Sequence, residues 1–176
     1  MNKKLKLWEL DRKSPENFRA QQKFPIVVIL DDIRSLNNVG SFFRTADAFN
    51  VTKIILGGIT ACPPHKDIRK TALGATETVD WSHSENLLEE IKVLQNAGYT
   101  VGSIEQTEKT TLLQDVAAFE AKPYALIFGN EVKGVSEDAI NLSDEVIEIP
   151  QFGTKHSLNV SVCSGILIWE FFKRLS

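Results

Sequence analysis

Short apolar runs alternate with amphipathic stretches along this chain. Residues 25–30 (PIVVIL) form a continuous, mostly β-branched run, the pattern of a strand covered on both faces of a parallel sheet. Val39, Phe42, Phe43, Ala46 and Phe49 recur at helical spacing, which predicts a helix with Asn37 or Asn38 as its N-cap. Residues 53–56 (KIIL) predict the next strand, and Gly57-Gly58 and Pro63-Pro64 mark a long loop. A short helix is expected over 67–73 and a weak strand over 78–81. Ser82 with Glu85 reads as a capping box for a helix that carries Leu87, Leu88, Ile91 and Leu94 on one face and closes at Gly98. Residues 100–104 and 124–128 (YALIF) predict strands, separated by a polar stretch over 105–122 with one helical turn near Leu112. Ser136 caps a short helix ending at Leu142, and 146–149 is the last strand. This alternation predicts one α/β domain with a mostly parallel sheet flanked by helices. Ligands in such sheets bind beyond the carboxyl ends of the strands, which are the loops after Leu30, Phe128 and Ile149.

The final helix is expected to open at Ser157-Leu158-Asn159, with its backbone N–H groups pointing into the preceding loop. Leu158, Val160, Val162, Cys163, Ile166, Leu167, Ile168, Trp169, Phe171 and Phe172 cover every direction around its axis. A helix apolar all round is buried on more than one side. The expectation is a core on one side and a second subunit on the other, around Cys163, Leu167 and Phe171.

The composition is that of a globular protein: 176 residues, 43% hydrophobic and 24% charged. No apolar run approaches the roughly 18 residues of a membrane span, and the N-terminus lacks the apolar stretch of a signal peptide. Cys62 and Cys163 sit in no disulfide framework or metal-ligand pattern. A cytoplasmic, metal-free protein is expected. Net charge is -3, yet residues 1–23 carry seven Lys/Arg against three acids. Residues 1–24 therefore read as a basic arm, either solvated or in contact with phosphates, ahead of an α/β domain over 25–176.

Neither G-x-G-x-x-G nor G-x-x-x-x-G-K-[ST] occurs, and G-x-S-x-G is also missing. Three polar clusters stand instead at predicted strand ends. They are N-x-G-x-x-x-R-T-A from Asn38, F-G-x-E-x-x-G from Phe128, and I-P followed by S-L-N-V-S-V from Ile149. In that order and spacing the chain resembles the SpoU (TrmH-like) family of RNA ribose 2′-O-methyltransferases, within the SPOUT superfamily. The resemblance runs from about Pro25 to the C-terminus. It implies an α/β fold with a C-terminal trefoil knot, S-adenosyl-L-methionine as cofactor and a homodimer.

The resemblance assigns cofactor binding to Gly129, Ile149 and Leu158, with Glu105 as a weaker member. It assigns catalysis to Asn38, Arg44, Glu131, Ser157 and Asn159. The residue types suit the chemistry. Glycine admits close backbone approach, and Ile149 and Leu158 offer apolar walls. Arg44 stays protonated, so it serves as an electrostatic partner of the ribose oxygen and of phosphate, not as a base. Read alone, Ile149 and Leu158 serve equally as core residues, Asn38, Ser157 and Asn159 as caps, and Glu131 as a loop organiser. Arg44 in an otherwise apolar helix is expected to be buried with a partner. His65 and His156 lie in polar loops beside lysines, and His83 reads as surface.

Many members of the family carry an added N-terminal RNA-binding domain. With only the short arm ahead of the first strand, RNA is expected to be held by the dimer, the arm and the Lys66, Arg69 and Lys70 segment. The function expected is 2′-O-methylation of RNA, with transfer RNA ahead of ribosomal RNA. A non-catalytic RNA-binding module of the same fold is the alternative.

Overall fold

The computed structural model describes residues 2–10, 12–116 and 122–176. The end of the polar stretch expected over 105–122, and Met1 and Asp11 of the arm, lie outside the described residues. After a 3-10 turn at Leu7–Glu9 come α1 (Pro15–Ala20), β1 (Phe24–Asp31), α2 (Leu36–Ala48), β2 (Val51–Gly57), α3 (Lys66–Ala72), β3 (Trp81–Ser84) and α4 (Leu87–Asn96). The second half is β4 (Thr100–Ile104), β5 (Thr111–Leu112), β6 (Tyr124–Phe128), α5 (Glu137–Leu142), β7 (Glu145–Glu148) and α6 (Val160–Leu175).

The seven strands form one sheet in the order β3-β2-β1-β6-β4-β7-β5, and every strand pairing is parallel. Alternate side chains of β1 and β6 explain their unbroken apolar runs. Ile26, Val28, Leu30, Leu126 and Phe128 pack on one face with Val39, Phe42 and Phe43 of α2 and Leu167, Ile168 and Phe171 of α6. Val27, Ile29, Ala125 and Ile127 pack on the other face with Ile91 of α4 and Ala139 of α5. Helices α2 and α3 touch where Gly40 offers no side chain. A Cβ there would overlap the Ile68 carbonyl oxygen and the Thr71 hydroxyl.

Local capping differs from the sequence pattern in three places. Ser35, not Asn37 or Asn38, caps α2 by accepting the Asn38 N–H at 3.3 Å. Ser82 lies inside β3, which pairs with β2 from Ile54↔Trp81 to Gly57↔Ser84. The expected strand over 78–81 therefore shifts towards the C-terminus, and Asn86 takes over as the cap of α4. Helix α6 starts at Val160 and is capped by Asn159, leaving Ser157 and Leu158 in the loop before it.

The arm is docked on the body rather than loose. The Arg19 guanidinium donates to the Glu77 carbonyl, and Lys23 donates to the Asn50 side chain at 2.9 Å and sits over the Phe18 ring. The final helix also departs from expectation: Leu167 and Phe171 are core residues, 0% and 1% exposed, so they cannot form a subunit interface. Its outward face is instead Val162, Ile166 and Trp169.

Gly40→Ala is expected to lower stability by about 1–3 kcal/mol, because the added methyl meets backbone that cannot move without parting α2 from α3. A urea unfolding midpoint equal to that of the wild type would show that the two helices have room to spare.

Candidate active site

Parallel pairing brings the carboxyl ends of four strands into one row: Leu30 pairs with Phe128, Phe128 with Ile104, and Ile104 with Ile147. The next residues in the chain, Glu105, Gly129 and Ile149 among them, wall a cleft of about 730 Å³ with Ser157, Leu158 and Asn159. That volume lies within the roughly 300–1,000 Å³ of small-molecule sites. At Gly129 a Cβ would collide with the backbone of Gly134 and Val135. The strand and the following loop therefore close on each other only if this residue has no side chain.

The loop after β6 is fastened to its neighbours at four points. Asn130 donates to the Asp32 carbonyl at 2.7 Å. Glu131 accepts the Arg34 and Ser35 N–H groups, both at 3.0 Å. Glu105 accepts the Val135 N–H at 3.0 Å, and Asp31, itself buried, accepts the Ser136 N–H at 2.8 Å. Glu105 thus shapes the cleft by holding backbone, with its other oxygen taken by the Gln106 N–H at 2.8 Å.

Asn38 joins the three sequence clusters. Its side-chain N–H donates to Glu131 at 2.9 Å, and its oxygen accepts from the Asn159 amide at 3.2 Å. The Asn159 oxygen in turn accepts the Ser161 and Val162 N–H groups at 2.9 and 3.3 Å. The first N–H groups of α6 are therefore occupied by their own cap and do not open into the loop. Asn38 is 8% exposed and sits beneath the cleft wall, where it positions Glu131 and Asn159.

Arg44 stands apart from this group. Six positions along a helix of 3.6 residues per turn carry it about 9 Å along the axis from Asn38 and roughly 120° around it. It is exposed, not buried, and lines a different cleft beside the arm. Arg44 forms no hydrogen bond or ion pair with a described residue. Ser157 is exposed at the rim of the first cleft, as is His156. His65 caps α3, accepting the Asp67 N–H at 3.2 Å.

Cys163, expected at a subunit interface, instead lines the cleft. Burial, with the charge of Glu105 adding to it, pushes its thiol up to about 12, so it stays protonated at neutral pH. Asp31 was missed, because an acid ending an apolar strand looks like the start of a solvated loop. Among the described residues, no His, Cys, Asp or Glu group is arranged to hold a metal ion, and no helix is long and apolar enough to cross a membrane.

The sequence profile of the SpoU rRNA Methylase family matches residues 25–169. The chain belongs to this family. A relative from Vibrio parahaemolyticus, named 23S rRNA (guanosine-2′-O-)-methyltransferase RlmB, is 31% identical over 92% of this chain and 64% of its own length. An uncharacterized tRNA/rRNA methyltransferase from Borreliella burgdorferi is 32% identical over 92% of this chain and 69% of its own. The chain spans a little under two thirds of the Vibrio relative and 58% of a Pseudomonas putida one. An AdoMet-bound rRNA methyltransferase structure from Sinorhizobium meliloti superimposes with a TM-score of 0.81 at 28% identity, covering 94% of this chain and 62% of that one. The TrmH/SpoU tRNA modifying enzyme of A. aeolicus gives 0.79 at 26% identity, covering 91% and 79%.

In this SpoU-family chain, burial alone would raise the Glu131 pKa, but hydrogen bonds from Arg34, Asn38 and Ser35 outweigh it and hold the carboxyl below its usual 4.5. A depressed folded pKa means that the carboxylate stabilises the fold above the unfolded value, and that this contribution disappears as pH falls through the folded value. The stability advantage of wild type over Glu131→Gln is therefore expected to be steady near neutrality and to shrink below the ordinary carboxylate range. Urea midpoints measured from pH 7 to pH 3 test this, and an advantage that persists undiminished to pH 3 would contradict it.

Proposed function

We propose that this protein transfers a methyl group from S-adenosyl-L-methionine to a ribose 2′-oxygen of RNA, and that transfer RNA is its substrate in the cytoplasm. The observation that carries the reading is the Asn159–Asn38–Glu131 hydrogen-bond chain, which ties the first turn of α2, the loop after β6 and the cap of α6 together at the mouth of the cleft. The cleft suits the cofactor: a Gly129 cradle that any Cβ would fill, with apolar walls from Ile149 and Leu158. These three residues would hold it, with Glu105 keeping the wall in shape. When bound, the cofactor supplies an electrophilic methyl group on a sulfonium.

The chain's own residues account for the rest. Ser157, Asn159 and Glu131 stand at the rim and align the ribose, since positioning supplies much of the rate in such a transfer. A ribose hydroxyl is weakly acidic, so charge grows on its oxygen as the bond forms. Arg44 meets that charge and stays protonated itself, and the proton leaves to an RNA phosphate or water. Cys163, protonated at neutral pH, offers no thiolate to compete. Because Arg44 lines the other cleft of its own chain, the complete site is composed from two copies. The exposed Val162, Ile166 and Trp169 of α6 supply an apolar face for that homodimer. The trefoil knot belongs to the same proposal. Methylation of 23S ribosomal RNA is the second reading, favoured by the name of the Vibrio relative.

Incubation with total RNA and labelled cofactor, followed by mass spectrometric mapping, is expected to find the methyl on a ribose of transfer RNA. The same mixture with Arg44→Ala should be slower by about 10²–10³, the usual loss for one preorganised charge contact, with cofactor affinity retained. Label on a base atom overturns the reaction, and label on ribosomal RNA alone overturns only the substrate. Sedimentation is expected to give twice the 19.7 kDa chain mass, and Ile166→Asp with Trp169→Asp should halve it. A wild-type monomer at micromolar concentration would rule out the composite site.

A further inference from the structure

We infer that the docked arm and Arg44 together form a groove for the phosphate backbone of the RNA, in which Arg12 and Lys13 are phosphate-contacting residues. The inference rests on the RNA-modifying reading above and deepens it. The groove, about 750 Å³, runs between the arm and α2, with Arg12, Lys13 and Arg44 in its walls. None of these three forms an ion pair with a described residue, and Lys13 has only the neutral Gln21 side chain as partner. Two acids share the walls, Asp47 and Glu77. Asp47 is already engaged, accepting the Thr78 hydroxyl at 2.6 Å. Three cations against two carboxylates leave the groove at +1 in a chain of net charge -3, and none of the three cations is ion-paired to a described residue.

The arm's other cations have different work. Arg19 is bound to the Glu77 carbonyl, and Lys23 to Asn50 and the Phe18 carbonyl. They pin the arm down, and this is what holds Arg12 and Lys13 over α2. A lone arginine meeting a ribose has neighbouring phosphates on either side of it. Two further cations beside Arg44 fit a phosphodiester chain better than a single small anion, which one fork would satisfy.

The test is binding of an unmodified transfer RNA transcript, followed by fluorescence anisotropy from 50 to 200 mM salt, with the full chain. Each phosphate contact contributes close to one unit to the slope of log affinity against log salt. Arg12→Ala with Lys13→Ala is expected to weaken binding and to flatten that slope by about 2. Lys92→Glu changes net charge by the same amount on α4, against the opposite face of the sheet, and should leave the slope alone. Arg12→Lys should preserve it, since the slope counts charge. An unchanged slope in the double variant, or an equal change with Lys92→Glu, overturns the groove. RNA methylated with an unchanged slope would sink the groove and leave the reaction standing. The expected slope with no methyl transfer to any RNA would do the reverse.

Discussion

Everything at the mouth of the first cleft depends on one buried amide. Among the described residues, the Asn38 side chain hydrogen-bonds both the loop after β6 and the cap of α6, donating to Glu131 and accepting from Asn159. A buried polar group must satisfy both ends, and here each end fixes a different loop. A carboxylate at position 38 would repel Glu131, and an apolar residue would take the acceptor from the Asn159 amide and one of three donors from Glu131. The sheet supplies the other half of the arrangement. Because β1, β6, β4 and β7 run parallel and in register, their following loops start from one edge and have little distance to cover.

Most of the fold was readable from the chain. Strands covered on both faces announce themselves as unbroken apolar runs, and β1 and β6 were found where residues 25–30 and 124–128 predicted them. Edge elements were read less well, since their position depends on a partner and not on their own pattern. Strand β3 lies where β2 pairs with it, which took Ser82 out of its expected capping role. Helix α2 shows the related difficulty of choosing among neighbouring polar residues: Ser35, Asn37 and Asn38 are all good caps, and only the fold frees Asn38 for the site by giving Ser35 the cap.

Gly129, Glu131, Ile149, Ser157, Leu158 and Asn159 line one cleft, because short loops leaving one sheet edge have few places to go. Arg44 did not join them, and the reason is helical geometry: a motif written along the sequence does not say which residues share a face. The same holds for α6. Its apolar composition could not tell Leu167 and Phe171, packed under the sheet, from Ile166 and Trp169, which face outward.

Asn159 shows how narrow the sequence freedom of such a site can be. As a helix cap alone the position would tolerate serine, threonine or aspartate with small loss. Its amide nitrogen, however, is the donor that Asn38 requires. Aspartate would cap as well but bring a second negative charge towards Glu131 and no donor; serine is too short to serve both partners. A position that looks interchangeable by secondary structure thus admits one residue type. Random drift at this helix end would be stopped by its hydrogen-bond partner 121 positions away in the chain.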